Sequence, residues 1–408
     1  PQSVVHRLQR FLLSVLVAGA CVLGGSGDVS PALAGPLSPE QELVAEAWKT
    51  TDQFFVDRTF QGQDWFKVRE KMVKKSYQDR EAAYEEIRNM LKPLDDKYTR
   101  FLDPKEYAGF FGMIQGQGAG FGIKFQSLEK RADGIAPVAI SEILKGSAAE
   151  KAGLKVGDVF LELDGQSLVG LEDKEVAKRC RGDEGSTAQV VYSRPGEQGT
   201  KTIAITREAI ALKPIQSSME TVGGKKVGYV KLFIFGVQTF PLVKEALESL
   251  KGASAYVIDL RNNGGGFFQG GIETARLFLK NDVTVTTEVN AVGKERPYVT
   301  FEDGPYSDVP LYVLVDSNTA SASEVFSAAL QDNGRATFIG PSEKTFGKAI
   351  VQVLLPLADD SALSITRAKY LTPKRSDINK LGVSVDLVRD ETACPEGAKA
   401  VTASCIPI

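Results

Sequence analysis

Between residues 226 and 324 the chain repeatedly runs an apolar, β-rich segment into a small-residue turn and then into a helical pattern. KVGYVKL (226–232) and AYVIDL (255–260) are separated by the helix-like TFPLVKEALESLKG (239–252). AYVIDL leads into RNNGGGFFQGG and the helix-like IETARLFLK (272–280), followed by a strand-like VTVTTEV (283–289). PLYVLV (310–315) then runs into DSNTASASE (316–324), where a helical pattern begins at Ala322. Such β, α, β alternation predicts an α/β core with a mostly parallel sheet over residues 209–390, its chemistry at the strand ends.

Two other textures precede the core. After a proline-rich joint at Gly35–Pro39, residues 35–113 read as a helical cap: Leu43, Val44, Ala47, Trp48 and Phe55 recur on one face, and Arg80 to Leu91 is rich in helix formers. Ser38 and Gln41 have the spacing of a capping box. No catalytic group stands out there, so its expected role is packing or presentation. From residue 114 to 208 short β-like runs (GQGAGFGIKF, IAPVAISEI, DVFLELDG, AQVVYS, KTIAITRE) are broken by glycines, with turns expected at Gly153 and Gly157. Residues 391–408 form a tail, and the whole is an α/β multidomain chain.

A chain of 408 residues with 43% hydrophobic and 25% charged residues suits a soluble globular protein of two or three domains. Its net charge of −3, with acids and bases interleaved, leaves no electrostatic footprint for nucleic acid. The sequence opens on Pro1 rather than Met, so its natural start is expected further upstream. Arg7 and Arg10 precede an apolar run from Phe11 to Leu23, and Ala32-Leu33-Ala34 forms an A-x-A site, the pattern of an export signal spanning residues 1–34. A membrane anchor is the rival reading, but the run is short of the roughly 18 residues a span needs. The only histidine, His6, lies in that signal. Without histidine or a C-x-x-C pair, zinc lacks its usual ligands, and no metal or cofactor is expected. Cys21 also falls in the signal, Cys180 stands alone, and Cys394 and Cys405 are either bonded to each other, as export would permit, or free.

Three elements carry chemistry. Ser321 and Ser323 sit where a strand ends and a helix begins, so backbone N–H groups there can stabilise developing negative charge; helix capping is the plainer reading. With histidine absent, a base must come from elsewhere. Lys348, in EKTFGKAIVQ (343–352), is followed by Ala-Ile-Val, which draws it toward an apolar interior, although most lysines are solvated surface charges. An ordinary lysine titrates near 10.4, so a basic role at neutral pH needs a value about three pH units lower, which burial can supply. A neutral Lys348 would take the serine proton and return it to the leaving amine, with Gln352 holding the amine by a hydrogen bond. Gly264, Gly265 and Gly266 expose bare N–H groups that, with that of Ala322, would form an oxyanion hole. The competing reading is a dinucleotide fingerprint on Gly264, Gly266 and Gly270 with Glu288 on a ribose, though Gln269 stands where that pattern wants glycine. SLEK at Ser127 satisfies S-x-x-K, but it lies in a charged loop and no K-T-G or S-D-N follows.

NTASASE, TFGKAIVQ and DLRNNGGG, after a module containing GFGI and AGLKVGD, together resemble the carboxy-terminal processing (tail-specific) proteases. The resemblance runs from about Leu43 through ITRAKYLTP and DINKLGVSVD to Asp386; AEAWKTTDQFFVDRTFQGQDWF and LDDKYTRFLDP are most similar to the photosynthetic branch that matures the D1 protein of photosystem II. The resemblance implies Ser321 as nucleophile, Lys348 as base, Gln352 as orienting residue, and the N–H groups of Gly266 and Ala322 as oxyanion donors. It implies that residues 114–208 are a PDZ domain whose Gly120, Phe121, Gly122 and Ile123 bind a substrate's C-terminal carboxylate, a mode that suits backbone capture and strand addition. It further implies a protein substrate, the D1 precursor tail, with proximity to the thylakoid membrane through that substrate, and a location in the thylakoid lumen of a chloroplast or the cyanobacterial lumen or periplasm. GPSEKTFGK (340–348) is two residues longer than the family's G-x-x-T-F-G-K, which brings Lys344 forward as an alternative base. An inactive PDZ-type scaffold is the rival outside enzymology.

Overall fold

A computed structural model describes residues 36–114, 117–129, 134–211, 214–390, 393–394, 402 and 405–407. The export signal read over residues 1–34 lies outside these. No helix among the described residues is long and apolar enough to cross a membrane.

The central sheet has six strands in the order Ile215–Val222, Lys225–Leu232, Ala255–Asp259, Leu311–Leu314, Thr337–Gly340 and Leu387–Val388. The first pair is an antiparallel hairpin and every other pairing is parallel. Side-chain alternation divides its burial between two faces. Val230, Ile258 and Val313 point to one face, where Val243 and Leu247 of helix Thr239–Ser249, Ile272 of helix Phe268–Arg276 and Phe326 of helix Ala322–Asp332 pack over them. Tyr229, Val257 and Leu314 point to the other, which is covered by the C-terminal tail through Cys394, Cys405 and Ile406. Cys394 and Cys405 form a disulfide, and the Tyr312 hydroxyl donates to the Pro407 carbonyl at 2.6 Å. Cys180 is a buried free thiol whose pKa burial pushes up to about 12.

A second sheet, all antiparallel, joins Arg100–Leu102, Ala362–Leu371, Thr284–Asn290, Glu295–Val299 and Ile350–Pro356. VTVTTEV therefore belongs here and not to the parallel core: its Thr286 hydroxyl donates to the Leu371 carbonyl, and pairing partners rather than local composition chose its sheet. Helices Pro39–Phe54, Trp65–Lys74 and Arg80–Leu91 bury Leu43, Val44, Ala47, Met72 and Ile87 against Leu363 and Ile365 of this sheet. The cap is not wholly helical, since it contributes the edge strand Arg100–Leu102. Gln41 spends its amide on the Val73 and Lys75 carbonyls.

The β-rich module is an antiparallel sheet ordered Ile123–Ser127, Val138–Ile143, Val159–Leu163, Thr187–Ser193 and Lys201–Thr206, around Phe121, Ile140, Phe160 and Val190. Gly153 and Gly157 adopt positive φ, as their turns require. A two-stranded ribbon, Gln117–Gly120 with Glu208–Ala211, carries the chain into and out of it.

Candidate active site

Ser321 is the N-cap of helix Ala322–Asp332, at the end of the turn that follows the strand Leu311–Leu314, and it has φ 59° and ψ −117°. A non-glycine residue held there is strained, and such strain persists only where surrounding bonds over-determine it. Here the Ser321 N–H donates to Glu324 Oε2 at 2.9 Å, and the Tyr370 hydroxyl lies 3.3 Å from the Ser321 carbonyl oxygen. The Ala320 N–H and the Ser323 hydroxyl both donate to the Asn263 carbonyl at 3.0 Å, tying the serine turn to the glycine turn. Ser323 is fully buried and so committed to structure.

Glu324 organises what surrounds it. Fully buried, its carboxylate accepts at Oε1 from the Thr345 hydroxyl and the Gly347 N–H, each at 2.6 Å, and at Oε2 from the Lys348 N–H at 2.8 Å as well as from Ser321. Four donors on one desolvated carboxylate offset much of the cost of burying it. They also fix the serine and lysine backbones side by side. The Lys348 carbonyl accepts from the Tyr370 hydroxyl at 2.8 Å, and Gly347 takes φ 84° where a Cβ would lie 2.8 Å from the Leu381 nitrogen.

The Lys348 side chain is largely withdrawn from water. Burial is the main cause that pushes its pKa down to about 8; Asp96 and Glu324 pull it up, while Arg100 and Lys97 push it further down. With that value about a tenth of the lysines are neutral at pH 7. Its Nζ sits 4.3 Å from the centre of the Tyr98 ring. Among the described residues no hydrogen bond links Nζ to the Ser321 hydroxyl or to Gln352. Gln352, on the strand Ile350–Pro356, donates to the Thr366 hydroxyl at 3.2 Å. Lys344 is exposed in an isolated bridge to Ser384, away from the desolvation a base needs.

The glycine turn abuts the serine. At Gly265, φ 94°, a Cβ would lie 2.5 Å from the Ala320 oxygen and 2.8 Å from both the Ala322 nitrogen and the Ser321 Cβ. At Gly266, φ 131°, it would meet the Phe235 oxygen at 2.2 Å. The N–H groups of Gly266 and Ala322 donate to no acceptor among the described residues. Beneath the turn, the buried Asp259 accepts from Tyr229 (2.8 Å), Lys231 (3.1 Å) and Arg261 (2.7 Å). Its burial opposes ionisation, yet the Arg261 and Lys231 cations hold it below the ordinary carboxylate range. Glu288, the proposed ribose ligand, lies instead in the antiparallel sheet, paired with Arg367 at 3.0 Å. That removes the acidic partner of the dinucleotide reading.

In the β-rich module, Phe121 is buried and its carbonyl accepts from the Ala149 N–H, while that of Gly122 accepts from Leu144. Gly122, φ 75°, sits where a Cβ would fall 2.4 Å from the Ser147 Cβ. Gly120 ends the connecting ribbon, and Ile123 starts the strand Ile123–Ser127, an edge of its sheet flanked by helix Asp173–Cys180.

Residues 226–389 match peptidase family S41 and residues 112–191 match the PDZ domain. A carboxyl-terminal-processing protease of Picosynechococcus sp. is 40% identical over 94% of this chain and 90% of its own length. The chain belongs to peptidase family S41. It is a C-terminal processing serine endopeptidase with a PDZ domain, acting on protein substrates, and not a bare scaffold. The chloroplastic C-terminal processing peptidase of Tetradesmus obliquus is 36% identical over 90% of this chain and 80% of that one. The solved structure of a photosystem II D1 C-terminal processing protease superposes with a TM-score of 0.61 at 33% identity, covering 89% of this chain and 96% of that one. Such S41 relatives come from cyanobacteria and chloroplasts.

Glu324, Tyr98 and Tyr370 have no role predicted from the sequence. The S-x-x-E spacing of Ser321 and Glu324 is a capping-box signal that pointed to the first; nothing local distinguishes the two tyrosines.

Proposed function

We propose that this S41 peptidase cuts near the C-terminus of the photosystem II D1 precursor, in the thylakoid lumen or its cyanobacterial counterpart, with Ser321 as nucleophile and Lys348 as base. The Ser321 oxygen attacks the scissile carbonyl carbon as its proton passes to Lys348 Nζ. The tetrahedral oxyanion is met by the N–H groups of Gly266 and Ala322. The proton then goes to the leaving amine, and water, deprotonated by the same lysine, hydrolyses the acyl-enzyme ester. Gln352 orients the amine, and Gly120, Phe121, Gly122 and Ile123 receive the substrate's terminal carboxylate. The membrane is near only through the substrate.

The observation that carries this reading is the convergence of the Ser321 and Lys348 N–H groups on Glu324 Oε2. Similarity to the D1 C-terminal processing protease supports the substrate. The corresponding organisation is a signal at 1–34, a helical cap at 35–113, the PDZ domain at 114–208, the catalytic core at 209–390 and a tail at 391–408. Incubating the protein with a peptide of the D1 precursor tail and weighing the products tests both claims. One internal cut, abolished by Lys348→Ala, is expected; no cut would remove D1 as substrate, and full turnover in the variant would remove Lys348 as base.

A further inference from the structure

We infer that Tyr98, carried into the catalytic core by the N-terminal helical region, is a positioning residue of the reaction: its ring caps the Lys348 amine and shields it from water. The inference rests on the reading of Lys348 as general base.

The contact is made with the atom that does the chemistry. Lys348 Nζ lies 4.3 Å from the ring centre, and the ring is only half-buried and belongs to none of the apolar clusters that hold the fold. Its position is nonetheless fixed. Asp96 accepts from the Tyr98 N–H at 3.0 Å and from the Thr99 hydroxyl at 2.7 Å, and the Thr99 N–H donates to the Asp96 carbonyl at 3.1 Å. The Thr99 hydroxyl in turn accepts the Thr366 N–H at 3.0 Å, and Thr366 is the residue whose hydroxyl takes the Gln352 amide. One turn of the cap is thus bonded to the strand beside the base and laid over the amine itself.

The charged groups facing Nζ are Asp96, Lys97 and Arg100 from that turn and Glu324 from the helix behind Ser321. The carboxylates favour the ammonium and the cations disfavour it, so they oppose one another, and exclusion of water is the largest influence. A ring face attracts a cation and by itself would hold the proton. Because burial dominates here, removing the ring is expected to admit water and favour the charged lysine. Lys97 Nζ lies 5.0 Å from the same ring and 5.4 Å from that of Phe346, so the loop preceding Lys348 closes the other side of the cluster.

The test measures how fast an organofluorophosphonate acylates Ser321 between pH 6 and 10, read by intact mass, so that it needs no assumption about the peptide substrate. The midpoint of the pH dependence is independent of how much protein is folded, which protects the reading from partial misfolding. Tyr98→Phe should keep the wild-type midpoint. Tyr98→Ala and the bulkier Tyr98→Leu should move it to higher pH by about one unit, with labelling at pH 7 about tenfold slower. Lys348→Ala serves as the separate control. If it labels like wild type, the base assignment fails; if it is silent and both Tyr98 variants keep the wild-type midpoint or move it lower, the Tyr98 inference alone is overturned.

Discussion

The backbone N–H groups of Ser321 and Lys348 donate to a single oxygen atom, Oε2 of Glu324, at 2.9 and 2.8 Å. Residues 27 positions apart in sequence are thereby held side by side by one buried carboxylate. The other oxygen binds the Thr345 hydroxyl and the Gly347 N–H, leaving the base loop little freedom to slide.

Glu324→Gln keeps the shape but turns an NH2 toward N–H and O–H donors. Leaving buried donors unpaired should cost about 2–4 kcal/mol of stability and lower kcat by at least about 100-fold through misplacement of the dyad. Thermal unfolding and turnover on one preparation check both.

Activity should rise with pH through the neutral range. As the proposed base, Lys348 has to be neutral to take a proton, and burial pushes its pKa down to about 8. kcat/KM is therefore expected to climb about tenfold per pH unit well below 8 and to level above it. A pH–rate profile flat from 6 to 9 would contradict the assignment.

Lys348→Met should abolish turnover and stabilise the fold. A lysine whose folded pKa is depressed destabilises the native state while it is charged in both states, that is, below about 8. The wild type recovers this stability as pH rises from about 8 toward the unfolded value near 10.4. The variant's advantage, roughly 1–3 kcal/mol, should be full below pH 8 and shrink above it. Denaturant titrations at pH 7 and pH 10 measure the difference.

Gly265→Ala should disable the site without touching either member of the dyad. At φ 94° the added methyl would lie 2.5 Å from the Ala320 oxygen and 2.8 Å from the Ala322 nitrogen. The serine turn must shift or the glycine turn must open, at a cost of about 1–3 kcal/mol. Labelling of Ser321 by an acylating probe should slow at least about tenfold, and an unchanged rate would show that the turns are not in register contact.

Opening the Cys394–Cys405 disulfide, by Cys394→Ser with Cys405→Ser, should loosen the cover over Val257 and Leu314. A cross-link over so short a loop contributes about 2–3 kcal/mol. The double variant is expected to unfold at lower denaturant and to bind a hydrophobic dye more strongly; equal midpoints would mean that packing alone holds the tail.

Much of this protein was determined by local sequence. The apolar runs at 226–232, 255–260 and 310–315 specify central strands because nothing else can bury them, and Gly264–Gly266 and Ser321 mark the turns that follow. With His6 the sole histidine, Lys348 is left as a candidate base, and the apolar Ala349-Ile350-Val351 after it already points to its burial. What only the tertiary structure decided was partnership. VTVTTEV reads like a core strand, yet Leu371 and Lys369 claim it for the antiparallel sheet. Tyr98 is one ring in a charged segment until a turn bonded to Asp96 and Thr366 brings it over Lys348. Glu324 shows its spacing to Ser321 in the sequence but not its bond to Lys348. Periodicity and turn chemistry act over a few residues and are written in the chain; hydrogen bonds and desolvation between distant segments arise only once folding has brought those segments together.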